Sequence, residues 1–230
     1  MDLKLLRAEV CSDGKRVFTD RERTNILKKN EQRLILFLLR KIPLNISPNG
    51  MTAIGMFGSL VVFTAFILAL FLGRIYLSIG LIGLAINWLG DSLDGRLAYY
   101  RGIPRKWYGF SLDIIMDWLS IILIGLGYYF YAPDESKVLG FLFVVFYGWA
   151  MIISLLRYKI TDAYKIDSGK MGPTELRIII GLILLFEILI PGSIRYLAVL
   201  VTIFLLIINI LDSFKLLKSG DIRDKKEKYD

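Results

Sequence analysis

Histidine is absent from this sequence, and cysteine occurs once, at Cys11. The first absence removes imidazole metal sites, histidine general bases and Ser-His-Asp triads. The second removes any internal disulfide and says nothing of redox compartment. Proline is scarce at six residues, and charge is missing over long runs: none from Ile42 to Gly73, from Val138 to Leu156, or from Tyr196 to Leu211. A hydrocarbon core takes roughly 20 apolar helical residues to cross, so these runs read as membrane spans. With 55% hydrophobic residues against 22% charged, the chain as a whole is too apolar for a soluble enzyme, a disordered segment or a nucleic-acid module. The start, MDLKLLRAEVCSDGKR, has no apolar core, so no cleaved signal peptide is expected.

The prolines that do occur (Pro43, Pro48, Pro104, Pro133, Pro173, Pro191) fall where hydrophobic runs begin or end, as expected of residues that close one helix and open the next. Reading between them predicts an all-α integral membrane protein with six spans, at about 51–73, 75–99, 109–131, 136–158, 175–191 and 193–217. The net charge of +8 is distributed by topology: 26 of the 29 Lys and Arg residues fall on one side of such a layout, leaving Arg74, Lys137 and Arg195 for the other. Cytoplasmic loops collect Lys and Arg, which places both termini inside. Residues 20–42 pair an apolar stripe (Ile26, Leu27, Leu34, Phe37, Leu38) with many charges. This predicts an amphipathic helix lying in the membrane interface, with a soluble helix capping the bundle as the alternative. The expected organisation is a cytoplasmic segment over 1–46, a membrane domain over 47–217 and a charged tail over 218–230. No internal repeat relates the six spans, which weighs against an inverted-repeat transporter.

Acidic residues are rare in the spans except in GDSLDGRLAYYRGIPRKWYGFSLDIIMDWLS. Asp91 and Asp94 are three apart, about 300° around a helix, and Asp113 and Asp117 are four apart, about 400°. Each pair therefore projects from one face, and the short loop 101–108 makes the two helices antiparallel neighbours. A buried acid costs about 2.5–3.5 kcal/mol at the bilayer centre, and clustered anions repel. Four together require divalent cations or access to water. With no histidine or thiolate nearby, the oxygen ligands suit Mg²⁺, Mn²⁺ or Ca²⁺ over Zn²⁺. Gly95, Ala98 and Gly109 lie on or beside the carboxylate faces. They either leave room for a flat, phosphorylated ligand or let helices pack closely. A cation channel or transporter using the aspartates as its ion site is the competing class, as is a set of interfacial aspartates facing water.

These residues resemble the signature of the CDP-alcohol phosphatidyltransferases, D-x-x-D-G-x-x-A-R followed after about eight residues by G-x-x-x-D-x-x-x-D. Here it runs Asp91, Asp94, Gly95, Ala98, Tyr99, then Gly109, Asp113, Asp117, matching seven of the eight fixed positions. Pro48, Asn49 and Thr52 are similar to the family's S-P-N-x-x-T start of its first membrane helix. Tyr99 stands where the family has arginine. Arg101, about 700° and so within about 20° of the face of Asp94, is the expected substitute for its phosphate contact.

The resemblance implies that a hydroxyl attacks the β-phosphorus of a CDP-linked alcohol and that CMP leaves. It implies a two-metal site holding Mg²⁺ or Mn²⁺ on Asp91, Asp94, Asp113 and Asp117, with Asp117 also the general base. Asn49, Thr52, Gly95, Ala98, Arg101 and Gly109 would bind the CDP-alcohol. The implied donor is CDP-diacylglycerol and the acceptor a small polar alcohol. Arg157, Lys159 and Arg177, in the basic connection between the fourth and fifth spans, are expected to hold an acceptor phosphate; the rival reading of that loop is topology alone. The expected acceptor is inositol phosphate, ahead of glycerol phosphate, serine or inositol, with CDP-choline or CDP-ethanolamine donating to diacylglycerol as a further alternative. A homodimer packed through membrane helices is also implied, with Gly140 and Gly148 as candidate small residues at its interface.

Overall fold

The computed structural model describes residues 28–161 and 172–228, and side chains from residue 31 onward within the first of these segments. Those residues form seven α-helices: α1 (Lys28–Leu39), α2 (Pro48–Leu72), α3 (Leu77–Tyr100), α4 (Lys106–Tyr131), α5 (Lys137–Thr161), α6 (Pro173–Leu189) and α7 (Ser193–Glu227). The helix starts follow local chemistry. Ser47 caps α2 by accepting from the Gly50 N–H at 3.0 Å, and Pro48 and Pro173 stand at the first turns of α2 and α6, where no amide donor is needed.

Helices α2, α3, α4, α5 and α7 are long and apolar enough to cross a membrane, which makes this a multi-pass membrane protein. The fifth expected span is α6, and its 17 residues cover only about 25 Å at 1.5 Å per residue. Five spans, not six, therefore stand on length and composition. Helix α6 stops at Leu189, two residues before Pro191, and Glu187 ties this end to α7. Its buried carboxylate accepts from the Tyr131 hydroxyl at 3.0 Å, from Gly192 N at 3.0 Å and from Ile194 N at 2.8 Å. An acid in a hydrophobic run thus satisfies amides at the start of α7, where the helix dipole favours an anion. Gly192, at φ 79°, makes the left-handed turn between the two helices.

The expected last span and the start of the charged tail form one helix: α7 runs unbroken to Glu227. Beyond the expected span, Arg223 Nη1 donates to the last carbonyls of α5, Lys159 O at 2.9 Å and Ile160 O at 2.7 Å. Of the expected interfacial helix over 20–42, residues 20–27 lie outside the described residues, α1 covers 28–39, and 40–42 form a turn. Ile35 and Leu39 are buried against Met51, Leu93 and Leu97, while Leu34 and Phe37 stay exposed.

Helices α2 and α3 make the most extensive contact in the described chain, and glycine is why. A Cβ on Gly58 would overlap the backbone nitrogen of Asn87, and one on Gly90 the backbone nitrogen of Gly55. The two backbones touch, as small residues permit between membrane helices. Gly140 and Gly148, expected at a dimer interface, are also used inside the chain: a Cβ on either would meet Gly125 O or the Trp118 ring of α4.

Candidate active site

The two aspartate pairs lie on α3 and α4 and converge at one end of the bundle. Single carboxylate oxygens of Asp91, Asp113 and Asp117 fall within 4.8 Å of one another. Asp94 completes the wall of the same small cavity, together with Thr52 and Asn87. Its Oδ2 accepts from Thr52 Oγ1 at 2.8 Å and its Oδ1 from the Gly95 N–H, so α2 fixes its orientation. Asp113 is buried, and the other three are half-buried.

A cation on α6 closes this cluster. Arg177, one turn into α6, places Nη1 2.8 Å from Asp91 Oδ2 and Nη2 3.5 Å from Asp117 Oδ1. Its Nε donates to Asn87 Oδ1 at 2.6 Å. Asn87 is itself buried and held by its amide nitrogen, which donates to Gly55 O at 3.1 Å and Ser59 Oγ at 2.9 Å. Buried charges need partners of this kind, because each unpaired ion costs several kcal/mol.

On the other side of Asp94 and Asp113 opens a cavity of about 400 Å³, within the roughly 300–1,000 Å³ typical of small-molecule sites. The structure brings Asn49, Thr52, Gly95, Ala98 and Gly109 together on its wall. Gly95 and Gly109 have open space where a Cβ would stand. Their smallness therefore serves the cavity and not helix packing, a choice the sequence leaves open.

Arg101 is not on this wall. Its guanidinium donates to Ile46 O at 2.5 Å and Pro43 O at 2.9 Å, and so ties the segment before α2 to the end of α3. Its backbone is still helical, with the N–H bonded to Leu97 O at 3.0 Å, so the phase holds and it is these carbonyls that draw the guanidinium away from the cavity. Arg105, which phasing does not single out, takes that place. It lines the cavity, donates through Nη2 to Asn49 Oδ1 at 2.7 Å, and lies 4.0 Å from the centre of the Tyr108 ring. Tyr99, Tyr108 and Tyr158 add aromatic wall.

The three cations expected at an acceptor phosphate separate. Arg177 is beside Asp117. Arg157 instead pairs with Asp212 of α7 at 3.2 Å, an acid that also holds Lys215 at 3.1 Å, and Lys159 is exposed at the end of α5. Lys165 and Lys170, from the same basic loop, lie outside the described residues. A helix-end arginine facing a neighbouring helix finds its carboxylate there, which a reading of loop charge does not foresee.

The sequence model of the CDP-alcohol phosphatidyltransferase family matches residues 45–209, from just before α2 to the middle of α7. The chain belongs to the CDP-alcohol phosphatidyltransferase family. A search of curated proteins finds no match. Membership implies transfer of a phosphatidyl or phospho-alcohol group from a CDP-alcohol to an alcohol acceptor, in the setting of phospholipid biosynthesis. The aspartate cluster fits the divalent metals that such transfer uses. It offers oxygen donors alone, several of them anionic, within one small cavity, as Mg²⁺ and Mn²⁺ require.

Proposed function

We propose that this phosphatidyltransferase moves a phosphatidyl group from CDP-diacylglycerol to a hydroxyl of a phosphorylated polyol, inositol phosphate ahead of glycerol phosphate, and releases CMP. The supporting observation is the junction at Asp94 and Asp113, where the aspartate cluster meets a cavity carrying Arg105, Asn49 and two open glycines. Asp91, Asp94, Asp113 and Asp117 would hold Mg²⁺ or Mn²⁺, which when bound supplies positive charge to a diphosphate and its developing oxyanions.

The protein's own residues do the rest. Arg105 offers a planar fork to the donor phosphates in place of the arginine that Tyr99 replaces, and Asn49 with Tyr108 holds that fork in position. Gly95 and Gly109 let the diphosphate approach the helix backbone. Asp117 accepts the proton as the acceptor oxygen bonds to the β-phosphorus and the bond from that phosphorus to the CMP oxygen breaks. A carboxylate is a weak base for an alcohol, so the proton moves late. The acceptor class is read from Arg177, which stands beside Asp117.

In this reading α6 serves as the sixth span, since it runs from the aspartates at Arg177 to the opposite end of the bundle at Glu187. Both termini and the site then face the cytoplasm, α1 lies at the interface with Leu34 and Phe37 toward lipid, and a homodimer forms through the membrane helices. Radiolabelled acceptors tested as a panel against CDP-diacylglycerol, with the lipid products separated, check the substrate reading. Preference for serine or free inositol, or activity only with CDP-choline or CDP-ethanolamine and diacylglycerol, would remove the polyol phosphate. Light scattering that finds only monomers in mild detergents and nanodiscs would remove the dimer.

A further inference from the structure

Arg177, from which the acceptor class is read, also makes contacts that acceptor binding alone does not require. Its three nitrogens reach Asn87, Asp91 and Asp117, on two different helices. Only 12% of its side chain is exposed, so the contacts are not those of a loose surface cation. Its anchor is equally fixed. Asn87 spends its amide nitrogen on Gly55 and Ser59 at the α2–α3 crossing, which leaves its carbonyl oxygen pointed at Arg177. Two of the three carboxylates that approach one another closely enough to share an ion are the two that Arg177 touches.

We infer that Arg177 is a positioning residue for the metal centre: it orients Asp91 and Asp117 and competes with divalent cations for their oxygens. The inference rests on the metal reading of the aspartate cluster given above. Its physics is that of two cations sharing one set of anions. An oxygen engaged by the guanidinium is less available as a ligand, and a fixed positive charge a few ångströms away opposes an incoming divalent ion. The four carboxylates would repel one another without any counter-charge, so Arg177 holds the cluster together and in doing so weakens its hold on metal.

The sign of the effect separates this from a structural role. A residue that merely supports the site binds metal worse when it is removed; a competitor, when removed, leaves metal bound tighter. The experiment is Mn²⁺ binding to the full chain in nanodiscs, by electron paramagnetic resonance and calorimetry, with no substrate present. Arg177→Gln is expected to lower the Mn²⁺ Kd by roughly tenfold or more, and Arg177→Lys by less, since an ammonium keeps the charge but not the fork. An unchanged or raised Kd in Arg177→Gln, with wild type binding normally, overturns the inference. If Arg177→Gln does not fold, Arg177→Lys decides in the same way: a lower Kd supports it and an equal or higher one overturns it. Wild type that binds no Mn²⁺, or binds it regardless of Asp91→Asn and Asp113→Asn, instead overturns the metal reading and the inference with it.

Discussion

The hydroxyl of Thr52, one turn into α2, donates at 2.8 Å to Oδ2 of Asp94, in the last two turns of α3. One hydrogen bond therefore joins the segment that opens the membrane domain to the aspartates. Thr52→Val keeps the shape and removes the donor, leaving the Gly95 N–H to restrain Asp94 without help from α2. We expect turnover to fall about 10–100-fold, the usual cost of losing a partner that orients a metal ligand, with the melting temperature little changed. An activity within twofold of wild type would show that Asp94 needs no such restraint.

Asp113→Asn should abolish transfer, by about a thousandfold or more, while the protein stays folded and membrane-inserted. Asp113 is the buried member of the trio, and a neutral amide binds Mg²⁺ far less well. Asp117→Asn should differ in one respect, retaining CDP-lipid binding without transfer. A steady-state assay beside a CDP-lipid binding assay distinguishes the two roles, and loss of metal-dependent binding in Asp117→Asn would recast it as chiefly a ligand.

Arg105→Ala is expected to weaken CDP-lipid binding by roughly 10–100-fold, the worth of a charge-assisted contact to phosphate. Tyr99 lines the same cavity. Adding Tyr99→Arg should therefore recover much of the loss, because it restores a guanidinium to the cavity wall. Calorimetry with both variants tests this, and no effect of Arg105→Ala would return the phosphate contact to another group.

Two glycine substitutions of identical chemistry should behave oppositely. Gly90→Ala forces α2 and α3 apart at a backbone contact and is expected to cost about 1–3 kcal/mol, seen as a lower Tm. Gly95→Ala meets open space, so its Tm should hold while donor KM rises. A fall in Tm for Gly95→Ala would mean that this glycine is there for packing after all.

These cases also show how far residue order carries. The pairing of Asp91 with Asp94 and of Asp113 with Asp117 follows from helical phasing, which the backbone enforces locally, whereas the wall residues Asn49, Thr52, Gly95, Ala98 and Gly109 are legible only through the motif resemblance. Arg177 meets partners 60 and 90 positions away, so only the packing of α6 on α3 reveals it. Arg105 sits just ahead of α4, with backbone angles that no helical wheel describes. Arg101 fails for a different reason: it keeps the helical phase, but carbonyls 55 and 58 positions away take its guanidinium. Gly58 and Gly90 look like any small residues in a hydrophobic run until the partner helix is in place. Glu187 reads as a blemish in a span, and becomes intelligible only once the amides of α7 are seen to need it.

The helices that carry the two aspartate pairs share little direct contact; α3 and α4 are held side by side chiefly through α2, which packs on both. The carboxylates face each other across a seam, and anything that binds all of them stitches it shut. Occupancy should therefore register as mechanical cohesion as well as chemistry. Saturating Mn²⁺ ought to raise the unfolding temperature and slow amide exchange along the facing turns of α3 and α4 by mass action, and a chelator should loosen those turns before the distant ends of the bundle, where Glu187 and Tyr131 keep their own bond.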